Sequence, residues 1–248
     1  MITRLAFHHV SKRFSYTPSR KLLRTHAQNW FRPAKSNVFY ALRDVSFSVR
    51  DGEGLAVIGP NGAGKSTLLG VATQLCYPEE GSVSVNGRVA ALLELGSGFH
   101  SDLTGEENLR INASLLGMSR KTTNDLFEAI VDFSGLGDFI QQPLRIYSTG
   151  MVLRLAFSVA IHADPDILVI DEVIAVGDSA FQAKCFERLL QFRRAGKTIL
   201  CATHSAALLL EICDKAIWLD HGHLVAEGSL QEILAAYEPG VPIAPRDS

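Results

Sequence analysis

One nonapeptide constrains this chain of 248 residues more than any other feature: Gly59-Pro60-Asn61-Gly62-Ala63-Gly64-Lys65-Ser66-Thr67. It fits G-x-x-x-x-G-K-[ST], follows the apolar run Leu55 to Ile58 and precedes the helix-like Leu68-Leu69-Gly70-Val71-Ala72. That strand–loop–helix order is the context in which such a loop holds phosphates. The glycines let successive backbone N–H groups turn inward around a phosphate chain, and the N-terminus of the next helix adds partial positive charge. Lys65 is placed to reach the β- and γ-phosphates, and the Ser66 hydroxyl to coordinate Mg²⁺. The plain alternative is a Gly-rich turn with a coincidental Lys-Ser, which average residue usage produces in a chain this long with odds on the order of one per cent. The segment therefore reads as a nucleoside-triphosphate site with Gly59, Asn61, Gly62, Ala63, Gly64, Lys65, Ser66 and Thr67 as its contacts.

The length suits one large α/β domain, or one domain with a sub-lobe, and 47% hydrophobic residues supports an ordinary core. Cys76, Cys185, Cys201 and Cys213 show no C-x-x-C spacing and lie in apolar stretches, so they read as small buried residues in a reducing cytosol. Met1 to Val10 carries His8 and His9 and has no signal-peptide pattern. No apolar run approaches the length of a membrane span. The net charge of −2 hides an asymmetry. Residues 1–43 hold nine Lys or Arg and no acid, leaving 15 bases against all 26 acids and a balance of −11 in the remainder. A basic arm on an acidic body calls for an anionic neighbour: a nucleic acid, a phospholipid surface or an anionic substrate.

Two stretches, Leu5 to Val10 and Ala41 to Val49, have strand character, and in the second Val45, Phe47 and Val49 alternate with polar residues. An interruption over 15–38 separates them. Within it Thr17 is a candidate N-cap with Pro18 at the first helical position and Pro33 as terminator. Leu23, Ala27, Trp30 and Phe31 then share one helical face. Downstream, Ser82 to Val85 leads into Asn86-Gly87, a hairpin signal, with Val89 to Leu93 expected to complete the pair. Thr104-Gly105-Glu106-Glu107 is a capping box opening a helix to about Leu116. A second helix is expected near Asn124 to Phe133, and 100–163 reads as a helical lobe inserted into the sheet domain. Asp166 to Glu172 and Thr198 to Thr203 are expected as buried strands, with a helix Ser179 to Arg194 between them. A hairpin around His221-Gly222 and a helix capped by Ser229 and Glu232 close the domain near residue 238, leaving 239–248 as a loose tail.

The strand Ile167-Leu168-Val169-Ile170-Asp171 delivers Asp171 to the magnesium shell, and Glu172 follows in position to polarise an attacking water. An acidic strand end is common by itself; the phosphate loop about a hundred residues upstream gives this one its meaning. His204, after the other buried strand, is either a turn residue or a γ-phosphate sensor.

The order of phosphate loop, helical insert, Tyr147-Ser148-Thr149-Gly150-Met151, Asp171-Glu172, Asp178 and His204 resembles an ABC-transporter ATPase subunit over nearly the whole chain. The resemblance implies an α/β P-loop NTPase cassette: a RecA-like core sheet, an antiparallel β subdomain and the inserted α-helical subdomain, together over 1–238. It implies ATP and Mg²⁺, and a homodimer in which each ATP lies between one chain's phosphate loop and the other's signature segment. Of the family's usual Leu-Ser-Gly-Gly-Gln signature, only Ser148 and Gly150 match. Ser148 still offers a hydroxyl, and a helix starting near Gly150 aims N–H groups at the γ-phosphate. Asp178 takes the place of the family's D-loop aspartate. Phe14 best matches the aromatic on which adenine stacks, with Tyr16 as the fallback. Where the family has a glutamine, Glu94 stands nearest as a magnesium or water ligand; a carboxylate there tightens the metal's hold but repels the γ-phosphate.

The Leu-Glu-Leu-Gly-x-Gly-Phe loop at 93–99, the Tyr-Ser-x-Gly-Met signature and Asp-Glu-Val-x-Ala-Val-Gly-Asp at 171–178 are similar to ATPase subunits of bacterial exporters of O-antigen, teichoic acids and some capsules. The resemblance implies two copies of a separate transmembrane permease, a lipid-linked polysaccharide substrate, and a location on the cytoplasmic face of the inner membrane. The segment 15–38 is similar to one that lies beside the channel mouth in such exporters. Its Arg20, Lys21, Arg24 and Arg32 are then expected to meet lipid headgroups or a carrier pyrophosphate, or else to be solvated on a helix packed against its own domain. Many relatives carry a C-terminal carbohydrate-binding domain, for which residues 239–248 are too few. Three rivals remain: a cassette for another transport substrate, a non-transport ATPase acting on DNA or ribosomes, and a small-molecule kinase. The loop at 94–100 speaks against the first. The second usually has paired cassettes, coiled coils or zinc sites, none of which is visible, so no nucleic-acid partner is expected. The third leaves Ser148, Gly150 and His204 unexplained.

Overall fold

The computed structural model describes residues 2–16, 37–93, 96–171, 178–203 and 205–237. Two sheets organise them. Strands β1 (Thr3–Tyr16) and β2 (Asn37–Arg50) pair antiparallel, and β4 (Glu80–Val85) joins the other edge of β1, giving the order β2-β1-β4. The larger sheet runs β5 (Val89–Leu92), β6 (Ile167–Asp171), β7 (Thr198–Ala202), β3 (Gly54–Ile58), β8 (Lys215–Asp220), β9 (His223–Ser229). All its pairings are parallel except the closing β8–β9 hairpin. Every residue of β3 and β7 is buried, and of β6 only Asp171 is not. This is why these strands read as unbroken apolar runs: a parallel strand covered on both faces has no polar side to alternate with.

Helix α1 (Lys65–Ala72) lies between the sheets, where Leu68, Leu69 and Val71 meet Phe7, Leu42, Val45 and Phe47 from one and Leu55 and Val57 from the other. On the opposite face of the parallel sheet, α5 (Ser179–Arg194) contributes Phe181, Cys185 and Leu189. The helical lobe is built from α2 (Gly105–Leu115), α3 (Arg120–Ser134), two 3-10 turns at Gly137–Gln141 and Leu144–Ile146, and α4 (Thr149–His162). Helix α4 belongs to both units. Leu155, Val159 and Ala163, at i, i+4 and i+8 along one stripe, enter the lobe core, while Phe157, Ala160 and Ile161 enter the core over the sheet. Helix α4 is thereby held by two packed interiors.

The capping box at Thr104 is present: its hydroxyl accepts from the Glu107 N–H at 3.1 Å and Glu107 accepts from the Thr104 N–H at 2.8 Å. So are the Ser179–Arg194 helix, the β8–β9 hairpin, and α7 (Leu230–Tyr237) after α6 (Ala206–Ile212), with Ser229 and Glu232 bonded reciprocally. Helix α3 starts four residues earlier than its apolar pattern suggested, because the Ser119 side chain caps it.

The hairpin expected at Asn86-Gly87 does not form. Strand β4 pairs with β1 and β5 pairs with β6, so Asn86-Gly87 carries the chain from one sheet to the other. The Asn86 N–H donates to the Arg4 carbonyl, and the Arg88 N–H to an Asp166 carboxylate oxygen, each at 2.8 Å. Burial decides the outcome. The mostly apolar Val89–Leu92 is covered on the edge of the parallel sheet, whereas β4 is half in water and offers no such cover. The helix proposed after Thr17, the basic residues Arg20, Lys21, Arg24 and Arg32, and the tail 239–248 lie outside the described residues.

Candidate nucleotide site

The phosphate loop leaves the carboxyl end of β3, flanked by β7 and β8, which is where open α/β sheets bind ligands. Three of its glycines have positive φ: 153° at Gly59, 80° at Gly62 and 107° at Gly64. At two of them space is also short. A Cβ on Gly59 would collide with the Leu219 carbonyl, and one on Gly64 with the Ala41 carbonyl. Gly64 is the left-handed N-cap of α1, a helix with no acid in its first turn, so its free N–H groups and partial positive charge face the loop. The Lys65 ammonium donates to the Gly59 carbonyl at 2.8 Å and the Pro60 carbonyl at 3.1 Å, curled over the loop it follows.

Across the loop, the Ser66 hydroxyl donates to Asp171 Oδ2 at 2.9 Å, joining the start of α1 to the end of β6. These groups open onto a cleft of about 420 Å³, within the range of small-molecule sites. Asn61, Gly62, Gly64, Lys65, Ser66, Thr67 and Asp171 line it, together with Phe39 and Ala41 from β2. Ala63 is buried beneath. Seven residues expected at the site from sequence thus converge on one cleft. Among the described residues no cluster of three or more His, Cys, Asp or Glu is poised to hold a metal. Ser66 and Asp171 are oxygen donors of the kind that bind Mg²⁺ when phosphates and water complete its shell, and they fit that ion.

Ser148, Gly150 and Asp178 are not part of this cleft. Ser148 is exposed and N-caps α4, its hydroxyl oxygen accepting from the Met151 N–H at 3.2 Å; the hydroxyl hydrogen is left for an outside acceptor. Gly150 is already helical, and a Cβ there would meet only Ser148 Oγ at 3.8 Å. Tyr147, which departs from the usual leucine, packs into the lobe core and donates to the Phe139 carbonyl; burial pushes its hydroxyl up to about 12, so it keeps its proton. Asp178 caps α5, accepting from the Phe181 N–H at 2.8 Å, and its other oxygen lies 3.5 Å from Arg154 Nη1.

Sequence reasoning passed over Arg154. Its Nε donates to the Ser134 carbonyl at 2.8 Å and its guanidinium sits 5.0 Å from the Phe181 ring centroid. The available signal was a lone arginine inside the apolar helix α4. Phe39 was missed too, and Phe14, the aromatic expected there, stacks on Phe39 instead of lining the cleft. Glu172, His204 and Glu94 lie outside the described residues, as does the side chain of Tyr16.

A family model for ABC transporters matches residues 42–175, from β2 through the phosphate loop to just beyond Asp171. The O-antigen export system ATP-binding protein RfbB of Klebsiella pneumoniae is 47% identical over 213 residues, covering 86% of this chain and 87% of that protein. The teichoic acids export ATP-binding protein TagH of Listeria monocytogenes is 38% identical over 237 residues, 95% of this chain and 70% of that one. Among solved structures, the ATP-binding subunit of an ABC transporter superposes with a TM-score of 0.76 at 26% identity, covering 98% of this chain and 96% of that one. With the loop, the Ser66–Asp171 contact and the two-sheet architecture already in place, these likenesses leave one conclusion: the chain belongs to the ABC transporter family, as one of its ATP-binding cassettes.

Proposed function

We propose that this cassette hydrolyses ATP to drive export of a lipid-linked polysaccharide, of the O-antigen, teichoic acid or capsule type, through a separate permease in the inner membrane. The observation that carries the ATP half is the closure of the phosphate loop onto the end of β6, seen as the 2.9 Å contact between Ser66 and Asp171. The substrate half rests on likeness to O-antigen and teichoic acid export proteins over most of the chain. No helix among the described residues is long and apolar enough to cross a membrane, which agrees with a permease on another polypeptide.

In this reading Lys65 neutralises the β- and γ-phosphates while the loop's N–H groups and the α1 terminus hold them. Ser66 and Asp171, with Glu94 as a further candidate, would hold Mg²⁺, which when bound offsets the phosphate charge. Glu172 takes a proton from the attacking water as the bond to the γ-phosphorus forms and the bond to ADP breaks; His204 contacts the γ-phosphate. Ser148, Gly150 and Asp178 lie outside their own chain's cleft with an exposed serine hydroxyl, and they serve the nucleotide of a second copy. The basic residues Arg20, Lys21, Arg24 and Arg32 of the segment 15–38 suit an anionic membrane surface. The test is made in cells: with Lys65→Ala, lipid-linked glycan accumulates on the cytoplasmic side and disappears from the surface. Surface glycan at wild-type level would defeat the proposal.

A further inference from the structure

We infer that Tyr147 is a positioning residue for Ser148: it seats the start of α4 on Gly105, at the end of a strip of chain that the Asn108 side chain holds in shape. The inference rests on the reading in which Ser148 serves the nucleotide of a second copy, and it names what sets that serine's place. Ser148 is the N-cap of α4, so helix bonding fixes it from one side only. From the other side the chain arrives through the 3-10 turn Leu144–Ile146, a single turn with few bonds of its own. What holds that turn is the segment leading into α2. The Arg145 N–H donates to the Ser101 carbonyl at 2.8 Å, the Leu144 N–H to the Leu103 carbonyl at 2.9 Å and the Gly105 N–H to the Gln142 carbonyl at 3.0 Å. The two stretches run antiparallel, with Thr104 facing Pro143.

Residues 100–104 are held in turn by Asn108, which is fully buried on α2. Its Oδ1 accepts from the His100 N–H at 2.7 Å, and its Nδ2 donates to the carbonyls of His100 at 3.0 Å, Thr104 at 2.9 Å and Leu103 at 3.2 Å. A buried amide is destabilising unless its donors and its acceptor are met. Here all are met, and the loop must keep this shape to meet them. The next residues on α2, Leu109 and Ala113, enter the lobe core, so the strip is anchored to a packed interior.

Tyr147 meets the strip where α2 begins. A Cβ on Gly105 would collide with the Tyr147 hydroxyl oxygen and come within 2.9 Å of the Ile140 carbonyl, so the tip of the ring rests on bare backbone. The hydroxyl donates to the Phe139 carbonyl, closing 139–147 into a loop whose last residue precedes Ser148. The fit is reciprocal: glycine at 105 leaves the space and tyrosine at 147 fills it. A leucine at 147 would have no hydroxyl for that bond. None of Gly105, Asn108 and Tyr147 lines this chain's own cleft. Displacing a group that acts on a reacting phosphate by about 1 Å costs on the order of a hundredfold in rate. A fault in this seat is therefore read in turnover and not in the binding of ATP to the same chain.

Turnover of Mg·ATP by the full chain, calorimetric titration with ATP in EDTA, and thermal melts test this, with Ser148→Ala as the reference that lowers turnover. Gly105→Ala is expected to lower kcat about tenfold or more while ATP binding in EDTA stays within about twofold of wild type. Tyr147→Phe keeps the ring, loses one hydrogen bond and is expected to lower turnover about threefold. Combining the two removes the colliding oxygen, so the double variant is expected to match Tyr147→Phe alone. Asn108→Asp sets a carboxylate oxygen against the carbonyls of His100, Leu103 and Thr104. It is expected to act like Gly105→Ala, without relief from Tyr147→Phe. Wild-type turnover in Gly105→Ala, Tyr147→Phe or Asn108→Asp, with Ser148→Ala impaired, overturns the inference. So does a loss of ATP binding that matches the loss of turnover, and so does a double variant no better than Gly105→Ala. Where melts show that Gly105→Ala or Asn108→Asp does not fold, Tyr147→Phe decides alone. A Ser148→Ala protein that turns over at the wild-type rate defeats the second-copy reading itself, and this inference with it.

Discussion

Arg154 and Asp178 meet at 3.5 Å, and through them the helix that begins at Ser148 is tied to the one that begins at Asp178. The same arginine holds the Ser134 carbonyl and covers the Phe181 ring, so the end of α3, the second turn of α4 and the start of α5 share one side chain. Both signature and D-loop candidates are thus positioned by a residue that belongs to neither.

The two jobs of Asp178 separate by magnitude. Its side chain is 63% exposed, and an ion pair in that setting contributes roughly 0–1 kcal/mol, whereas an N-cap contributes about 1 kcal/mol. Asp178→Ala is therefore predicted to lower unfolding stability by about 1 kcal/mol. Asp178→Asn keeps the cap and should cost less than about half of that. Urea denaturation of the two variants checks the order; equal losses would mean that the Arg154 pair, not the cap, dominates.

Gly64 and Gly150 should respond oppositely to alanine. At Gly64 the φ of 107° and the nearby Ala41 carbonyl both exclude a side chain, so Gly64→Ala is predicted to destabilise by roughly 1–3 kcal/mol and to abolish ATP binding. At Gly150 a Cβ has room and the backbone is helical, so Gly150→Ala should be neutral or stabilising by up to about 1 kcal/mol. Its ATP turnover should still fall if a second copy presses against that turn. Thermal melts paired with turnover assays separate the cases, and wild-type turnover in Gly150→Ala would free this glycine from any role.

Ser66 carries a different signature. Losing its hydroxyl removes the 2.9 Å contact to Asp171 and one oxygen donor to Mg²⁺ but leaves the loop's N–H groups in place. Ser66→Ala is predicted to weaken Mg·ATP on the order of tenfold or more while metal-free ATP binds nearly as before. Lys65→Ala should weaken both. Titrations with and without EDTA decide, and equal losses in the Ser66 variant would argue against a metal role.

What could be read from the sequence divides by how local its physics is. The phosphate loop, the Thr104 and Ser229 capping boxes, the β8–β9 hairpin and the buried strands at 167–171 and 198–202 are each written within one short stretch of consecutive residues, and each is present. Pairing partners are not local. Asn86-Gly87 has the composition of a tight turn, but which edge Val89–Leu92 joins depends on an exposed β4 and a covered β6 more than seventy residues away. Phe39 was hidden for the same reason: only the β1–β2 register, set across the intervening segment, places it in front of Phe14. The roles of Arg154 and Tyr147 come from tertiary contacts that periodicity does not express.

The crossover between sheets brings a pH dependence. Asp166 accepts the Arg88 N–H at 2.8 Å where the chain passes from β4 to β5. That hydrogen bond, with Arg4, Lys197 and Arg88 nearby, holds the carboxyl below its ordinary value of 3.8 despite the opposing effect of burial. Because the folded-state value is the lower one, the stabilisation is complete above the unfolded value near 3.8 and is lost as pH falls through the folded value. Asp166→Asn should be less stable than wild type at pH 7, and the gap should narrow below about pH 4. Denaturation midpoints measured from pH 7 to pH 3 report it; a constant gap would show that the charge contributes nothing.

The central claim is that nucleotide is sandwiched between two copies, with Ser148 of one reaching the phosphate loop of the other. Glu172→Gln removes the proposed base while leaving the cleft's described residues intact, so ATP should bind but not turn over. Light scattering of this variant during size exclusion measures the claim directly. With Mg²⁺ and ATP the account predicts a stable dimer that Ser148→Ala weakens; a particle that stays monomeric at saturating ATP would contradict it.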